Sequence, residues 1–131
     1  MKTKKTLYRD MIRRMIRRAE SDGEALLRFQ IAALKLPTPL QEYKFMPDRD
    51  YRFDFAYPNE KIGIEVEGGT LGMQGRHTRG KGYAEDCLKY NLAVLNGWKI
   101  LRFTTAQVNS GEAVDFIQCL YYRTPYVKRK F

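Results

Sequence analysis

Three carboxylates, Asp54, Glu65 and Glu67, are the residues whose types and spacing most clearly indicate chemistry in this 131-residue chain. They lie in two short segments, residues 51–57 and 62–67, in which apolar and polar side chains alternate with period 2. Acidic side chains gathered on one surface repel one another unless a cation lies between them. Carboxylates are the ligands that a hard divalent cation such as Mg²⁺ prefers, so this pattern predicts a metal site.

The two segments are predicted to form one β-hairpin, because the sequence Pro58-Asn59-Glu60-Lys61 between them is typical of a turn. One register places all the large apolar side chains on a single core face, and a slip of one residue would destroy that separation. This register pairs Tyr57 with Ile62, Phe55 with Ile64, Phe53 with Val66, Ala56 with Gly63, Asp54 with Glu65, and Arg52 with Glu67. A solvated face with an Arg52–Glu67 pair is the alternative, but it leaves the opposed Asp54 and Glu65 unexplained.

The composition predicts a single basic domain that meets a polyanion. The chain has 24 Lys and Arg against 15 Asp and Glu, a net charge of +9, and nucleic acid is the leading partner. No run approaches the roughly 18 apolar residues of a membrane-spanning helix, and the lysine-rich start does not resemble a signal peptide. We therefore predict a cytoplasmic protein that does not bind membranes. Cys87 and Cys119 lack metal-ligand spacing and are predicted to be reduced packing residues.

The order of elements predicts an α/β fold with a mixed sheet, in which a helical crossover joins two parallel strands. The predicted elements are a basic amphipathic helix (7–20), a helix (24–36), a loop with one short strand near 43–45, the hairpin, a glycine-rich loop (68–82), a helix (83–95), a strand (98–103) and a helix (111–122). We divide the chain into a basic N-terminal helix (1–20), one domain (21–122) and a basic C-terminal tail (123–131) that is expected to be disordered.

Several short motifs follow one another in this order: Asp54-Phe55-Ala56, Ile64-Glu65-Val66-Glu67-Gly68, Asp86-x-x-Lys89, Gly97-Trp98 and Ile100-Leu101-Arg102-Phe103. Together they resemble the PD-(D/E)XK nuclease superfamily, which has the restriction-endonuclease-like fold. The resemblance is to the very-short-patch-repair-like branch of that superfamily and covers roughly residues 24–103. The resemblance implies a core sheet of about four strands flanked by helices. It also implies a Mg²⁺-dependent DNA endonuclease, with Mn²⁺ able to substitute, of the nicking, junction-resolving or repair type.

The resemblance further implies roles for individual residues. Asp54 would be a bridging metal ligand, Glu65 a second ligand, and the backbone carbonyl of Val66 a third. Glu67 stands where the superfamily usually has lysine, and could bind metal through water or accept a proton from the attacking water. Lys89, near Asp86 on the following helix, would supply a positive charge.

Glu24 matches an acidic residue that related families place beside the metal, which makes it a candidate catalytic residue. Ser21 and Glu24 also form a plausible capping box, which would give Glu24 a purely structural role. Both readings stay open.

Two basic segments are candidate nucleic-acid contacts. In the glycine-rich loop, Arg76, His77, Arg79 and Lys81 are predicted to bind phosphates, and His77 could instead protonate the leaving oxygen. Arg13 and Arg17 belong to the first helix, which could clamp the DNA backbone, mediate dimerisation or be an ordinary surface helix.

Two other functions are compatible with the sequence. A non-catalytic nucleic-acid-binding protein could keep the same fold, although the intact Asp54, Glu65 and Glu67 argue against it. An RNA-directed nuclease would share the metal site and differ only in substrate. A homodimer would suit two-strand cutting and a monomer would suit nicking, and no small-molecule cofactor is expected.

Overall fold

The computed structural model describes residues 2–8, 21–67 and 80–128. Residues 4–8 are helical. The further elements are α1 (Asp22–Ala33), β1 (Leu40–Lys44), β2 (Arg52–Tyr57), β3 (Ile62–Glu67), α2 (Gly80–Leu95), β4 (Lys99–Thr104), α3 (Thr105–Asn109) and α4 (Glu112–Tyr122).

The four strands form one mixed sheet in the order β1-β2-β3-β4. β1 and β3 both run antiparallel to β2, whereas β3 and β4 are parallel and are joined by the α2 crossover. The predicted α/β fold with a mixed, four-stranded sheet is therefore confirmed. The prediction for β1 was wrong in extent, because residues 40–44 are a strand rather than mostly loop. β1 is an edge strand with a polar sequence, so it lacks the alternating apolar residues from which a strand is predicted.

The hairpin has the predicted register over its paired length. Tyr57 pairs with Ile62, Ala56 with Gly63 and Phe55 with Ile64. The turn is closed by the N–H of Lys61 donating to the carbonyl of Pro58 at 3.2 Å. Asp54 and Glu65 lie just beyond the last of these pairs, at the open end of the hairpin.

Helices cover both faces of the sheet and create two hydrophobic cores. The larger core joins α1, α3 and α4 to the sheet through Leu27, Ile31, Leu36, Phe55, Tyr57, Ile62, Ile64, Val66, Phe103, Val108, Ala113, Val114 and Ile117. The smaller core, on the α2 side, contains Phe53, Ala56, Ala93 and Trp98. The predicted burial of Trp98 and Phe103 is confirmed.

Phe53 was predicted on the same face as Phe55, and this prediction was wrong. Its ring stacks on Phe45 with centroids 4.4 Å apart, and it lies 5.1 Å from the ring of Trp98. Gly63 makes room for that ring, since a Cβ atom at residue 63 would lie 2.7 Å from it. The absence of a side chain at residue 63 thus allows Phe53 to pack in the smaller core while Phe55 packs in the larger one.

Replacing Gly63 with alanine is expected to destabilise the protein by about 1–3 kcal/mol, because the new methyl group would overlap a ring held in a packed cluster. Urea unfolding of Gly63→Ala in the wild-type and Phe53→Leu backgrounds would measure this. We expect a much smaller cost in the Phe53→Leu background, because leucine leaves space for the methyl group. An equal cost in both backgrounds would contradict this explanation.

Three further features differ from the sequence predictions. Helix α2 begins at Gly80, so residues 80–82 are helical rather than part of a loop. Helix α3 was not predicted, although Thr104 and Gln107 carry the capping-box signature that begins it. The chain after α4 was expected to be disordered, but it folds back so that Tyr126 stacks on Phe116 with centroids 4.1 Å apart.

Cys87 and Cys119 are both free, as predicted. Within the described ranges, no helix is long and apolar enough to cross a membrane.

Candidate metal centre

Three carboxylates from three different elements meet at one end of the sheet. Glu24 comes from α1, Glu42 from β1 and Asp54 from β2, and one carboxylate oxygen of each lies within 4.8 Å of the other two. Glu24 is 9% exposed and Asp54 is half-buried. The sequence prediction included Glu24 and Asp54 but missed Glu42.

The start of α1 places Glu24 against the sheet. The N–H of Glu24 donates to the side chain of Ser21 at 3.3 Å, so Ser21 caps the helix through one of the two hydrogen bonds of the predicted capping box. Gly23 lets the helix approach closely, because a Cβ atom there would lie 3.1 Å from Val66. The Glu24 backbone thus takes part in the cap while its carboxylate lies in the cluster.

Strand pairing brings Glu42 beside Asp54. Gln41 pairs with Phe55 and Tyr43 with Phe53, so Glu42 and Asp54 occupy the position between these pairs. Glu42 has a φ of +49°, in the left-handed backbone region that residues other than glycine rarely adopt. If residues 40–44 had been recognised as the strand that pairs with β2, the register of that pair would have placed Glu42 beside Asp54.

Asp54 is held in an environment that disfavours its charge. Its pKa is raised from 3.8 to about 6, mainly by burial and also by the nearby carboxylates of Glu65 and Glu42. The Val66 hydrogen bond and Lys89 act in the opposite direction. That hydrogen bond runs from the backbone N–H of Val66 to Asp54 Oδ2 at 2.8 Å.

Glu42 also has a raised pKa. Burial is the main cause and Glu65 adds to it, whereas Arg52 and Lys89 act in the opposite direction. Two carboxylates of the cluster are therefore destabilised in their ionised forms, and a bound cation would relieve both.

Glu65 turns toward the α2 side of the sheet. Its Oε1 accepts a hydrogen bond from Lys89 Nζ, and its Oε2 accepts one from the hydroxyl of Tyr90. The side chains of Glu65 and Lys89 are only 12% and 17% exposed. The structure thus brings the predicted Glu65 and Lys89 together. The predicted role of the Val66 carbonyl as a ligand stays a prediction.

Glu67 is paired with Arg102 of the neighbouring strand. Its Oε1 accepts from Arg102 Nε at 2.8 Å and from Nη2 at 2.6 Å. The alternative Arg52–Glu67 pair was wrong, because Arg52 instead donates to Asp50 at 3.0 Å.

The remaining predicted contacts fall outside the described part of the chain. These are Arg13, Arg17, Arg76, His77 and Arg79, together with the side chain of Lys81. Their roles remain predictions.

No family model and no curated protein matches this chain. Among solved structures, the chain is similar to the catalytic domain of the homing endonuclease I-Bth0305I, with a TM-score of 0.59 at 16% identity. The alignment covers 79% of this chain and 97% of that one. The fold is nuclease-like. At this level of identity the likeness establishes the fold alone.

The carboxylate cluster of this nuclease-like fold fits a divalent cation. Two oxygens on opposite sides of Mg²⁺ lie about 4.2 Å apart, since each bond is about 2.1 Å. The ligand atoms of Glu24, Glu42 and Asp54 are within 4.8 Å of one another, so small side-chain adjustments suffice. All three donors are carboxylate oxygens, which suit a hard cation.

Proposed function

We propose that this protein is a Mg²⁺-dependent DNA endonuclease. The observation that carries the proposal is the convergence of Glu24, Glu42 and Asp54 within 4.8 Å on a nuclease-like fold. Surface carboxylates are normally kept apart, whereas these three come from separate elements and include one buried side chain. The sequence resemblance to the PD-(D/E)XK superfamily and its very-short-patch-repair-like branch supports the same activity.

Each residue has a distinct task in this proposal. When bound, Mg²⁺ would polarise the scissile phosphate and lower the pKa of a coordinated water. Glu24, Glu42 and Asp54 would hold the ion, and Glu65 with the Val66 carbonyl would complete the site. Lys89, which donates to Glu65 Oε1, would offset negative charge on the phosphate.

DNA is the proposed substrate because the chain carries a net charge of +9. Phosphates would be contacted by the glycine-rich loop through Arg76, His77, Arg79 and Lys81, and by the N-terminal segment through Arg13 and Arg17. No motif in the sequence resembles a dedicated sequence-reading module, so we propose recognition of a DNA structure or lesion. The proposed organisation is a basic arm (1–20), a nuclease domain (21–122) and a basic tail (123–131).

The test is cleavage of a panel of plasmid, junction, flap, mismatched and single-stranded DNA, with RNA counterparts, in Mg²⁺ or Mn²⁺. We expect at least one DNA substrate to be cut and EDTA to abolish cutting. Glu42→Gln should reduce the rate at least about 10-fold, because a carboxylate ligand is lost. Asp48→Asn, an exposed acid of the following loop, is the matched control and should retain activity.

Failure to cut any substrate with Mn²⁺ would refute the endonuclease proposal. If DNA binding persisted in that case, the non-catalytic alternative would be supported. Cleavage of RNA alone would identify an RNA-directed nuclease with the same metal site.

A further inference from the structure

A continuous chain of contacts links Glu67, at the end of β3, to Glu65 of the same strand through Arg102 of β4 and Tyr90 of α2. Glu67 accepts two hydrogen bonds from the Arg102 guanidinium. The same guanidinium lies over the ring of Tyr90, with Cζ 4.4 Å from the ring centroid. The Tyr90 hydroxyl donates to Glu65 Oε2.

The arrangement of β3 and β4 explains why these residues meet. In the parallel register, Arg102 pairs with Glu65 and Thr104 pairs with Glu67, so Arg102 lies within reach of both acidic positions. Two hydrogen bonds to one oxygen of Glu67 hold the guanidinium on one side. A guanidinium held there can contact the face of Tyr90 through a cation–π interaction.

We propose that Glu67 and Arg102 are positioning residues that fix the Tyr90 ring. The Tyr90 hydroxyl then orients the Glu65 carboxylate, which completes the proposed metal site. The proposal rests on the endonuclease function. Glu67 stands where the superfamily usually has lysine, and this proposal gives it a role that does not require contact with metal or water. Carboxylates that bind metals commonly depend on such outer hydrogen bonds for their orientation.

The conservative variant Glu67→Gln separates positioning from direct chemistry. A glutamine amide oxygen can still accept from Arg102, but it cannot act as a base and is a poor ligand for Mg²⁺. We therefore expect Glu67→Gln to retain kcat within about 3-fold, whereas Glu67→Ala, Arg102→Ala and Tyr90→Phe lose about 10- to 100-fold. The double variant Glu67→Ala/Arg102→Ala should be no worse than either single variant.

Two other readouts distinguish positioning from a general loss of stability. In Arg102→Ala the KM for DNA should change less than about 3-fold, so that the loss at saturating metal falls on kcat. The Mn²⁺ affinity, measured by calorimetry, should fall by about 10-fold, because the Glu65 carboxylate is no longer oriented. Asp50→Ala, which breaks the exposed Arg52–Asp50 pair, is the matched control and should leave kcat unchanged. Glu67→Gln losing as much activity as Glu67→Ala would overturn the proposal in favour of direct chemistry.

The NMR signal of the Tyr90 ¹³Cζ atom tests the positioning without cleavage. Its resonance, assigned by its disappearance in Tyr90→Phe, should shift in Arg102→Ala and stay near the wild-type position in Glu67→Gln. An unchanged Tyr90 resonance in Arg102→Ala would refute the positioning role. If the wild type cuts nothing, the endonuclease proposal fails, and this measurement still decides whether Arg102 positions Tyr90.

Discussion

Replacing Asp54 with asparagine is expected to reduce Mg²⁺-dependent cleavage at least about 10²-fold and, without metal, to stabilise the protein at neutral pH. Activity falls because the variant lacks a carboxylate ligand. Stability rises because the wild-type protein must ionise a half-buried acid next to Glu42 and Glu65. Asparagine can still accept the N–H of Val66, so the local hydrogen bond is retained.

The stability difference should depend on pH in a defined direction. The pKa of Asp54 is about 6 in the folded protein and near 3.8 when unfolded, so the folded state binds more protons between these values. Wild-type stability should therefore fall as pH rises from about 4 to 7, by about 3 kcal/mol from this group, and Asp54→Asn should lack that fall. Urea unfolding in EDTA across this pH range would measure both curves.

Mg²⁺ provides the complementary control for Asp54. It should raise the wild-type melting temperature more at pH 7.5 than at pH 5, because protons compete for the carboxylate. It should have little effect on Asp54→Asn. Equal stabilisation of both proteins by Mg²⁺ would place the metal site elsewhere. Parallel pH curves in EDTA would contradict the raised pKa of Asp54.

Replacing Lys89 with methionine is expected to reduce cleavage by about 10²-fold and to destabilise the protein by about 1–3 kcal/mol. Methionine keeps much of the apolar stem but removes the donor to Glu65, whose side chain is 12% exposed. Glu65 would then be a mostly buried charge that has lost its lysine partner. Plasmid cleavage and urea unfolding would measure the two effects.

A second substitution separates the two roles of Lys89. In Glu65→Gln/Lys89→Met the buried charge is gone, so stability should return toward the wild-type value. Activity should stay low, because neither the carboxylate nor the cation is restored. Recovery of activity in the double variant would show that Lys89 serves only to neutralise Glu65.

The hairpin and its connection to β4 were predictable because the signals are local. Alternation through residues 51–57 and 62–67 determines the register, and the helical crossover that follows predicts a parallel partner. The turn at Lys61 and the helix end at Gly97, which has a φ of +85°, also follow from residue types.

The parts that were not predicted depend on tertiary packing. Alternation cannot reveal that Phe53 leaves its expected face, because the cause is the space above Gly63 on the other strand. Glu42 lies on a polar edge strand whose pairing is visible only once β2 is in place. The partners of Glu65 and Glu67 likewise come from α2 and β4, more than twenty residues away along the chain.

The origin of the carboxylate cluster in three separate elements has a mechanical consequence. An ion held by Glu24, Glu42 and Asp54 would act as a removable cross-link that closes about 30 residues of chain. Binding would then resist separation of α1 from the strands, and the gain in stability would grow with the logarithm of the free ion concentration. Amide hydrogen exchange in α1 and β1 would thereby report whether the ion is present, even in a protein that has no DNA to cut.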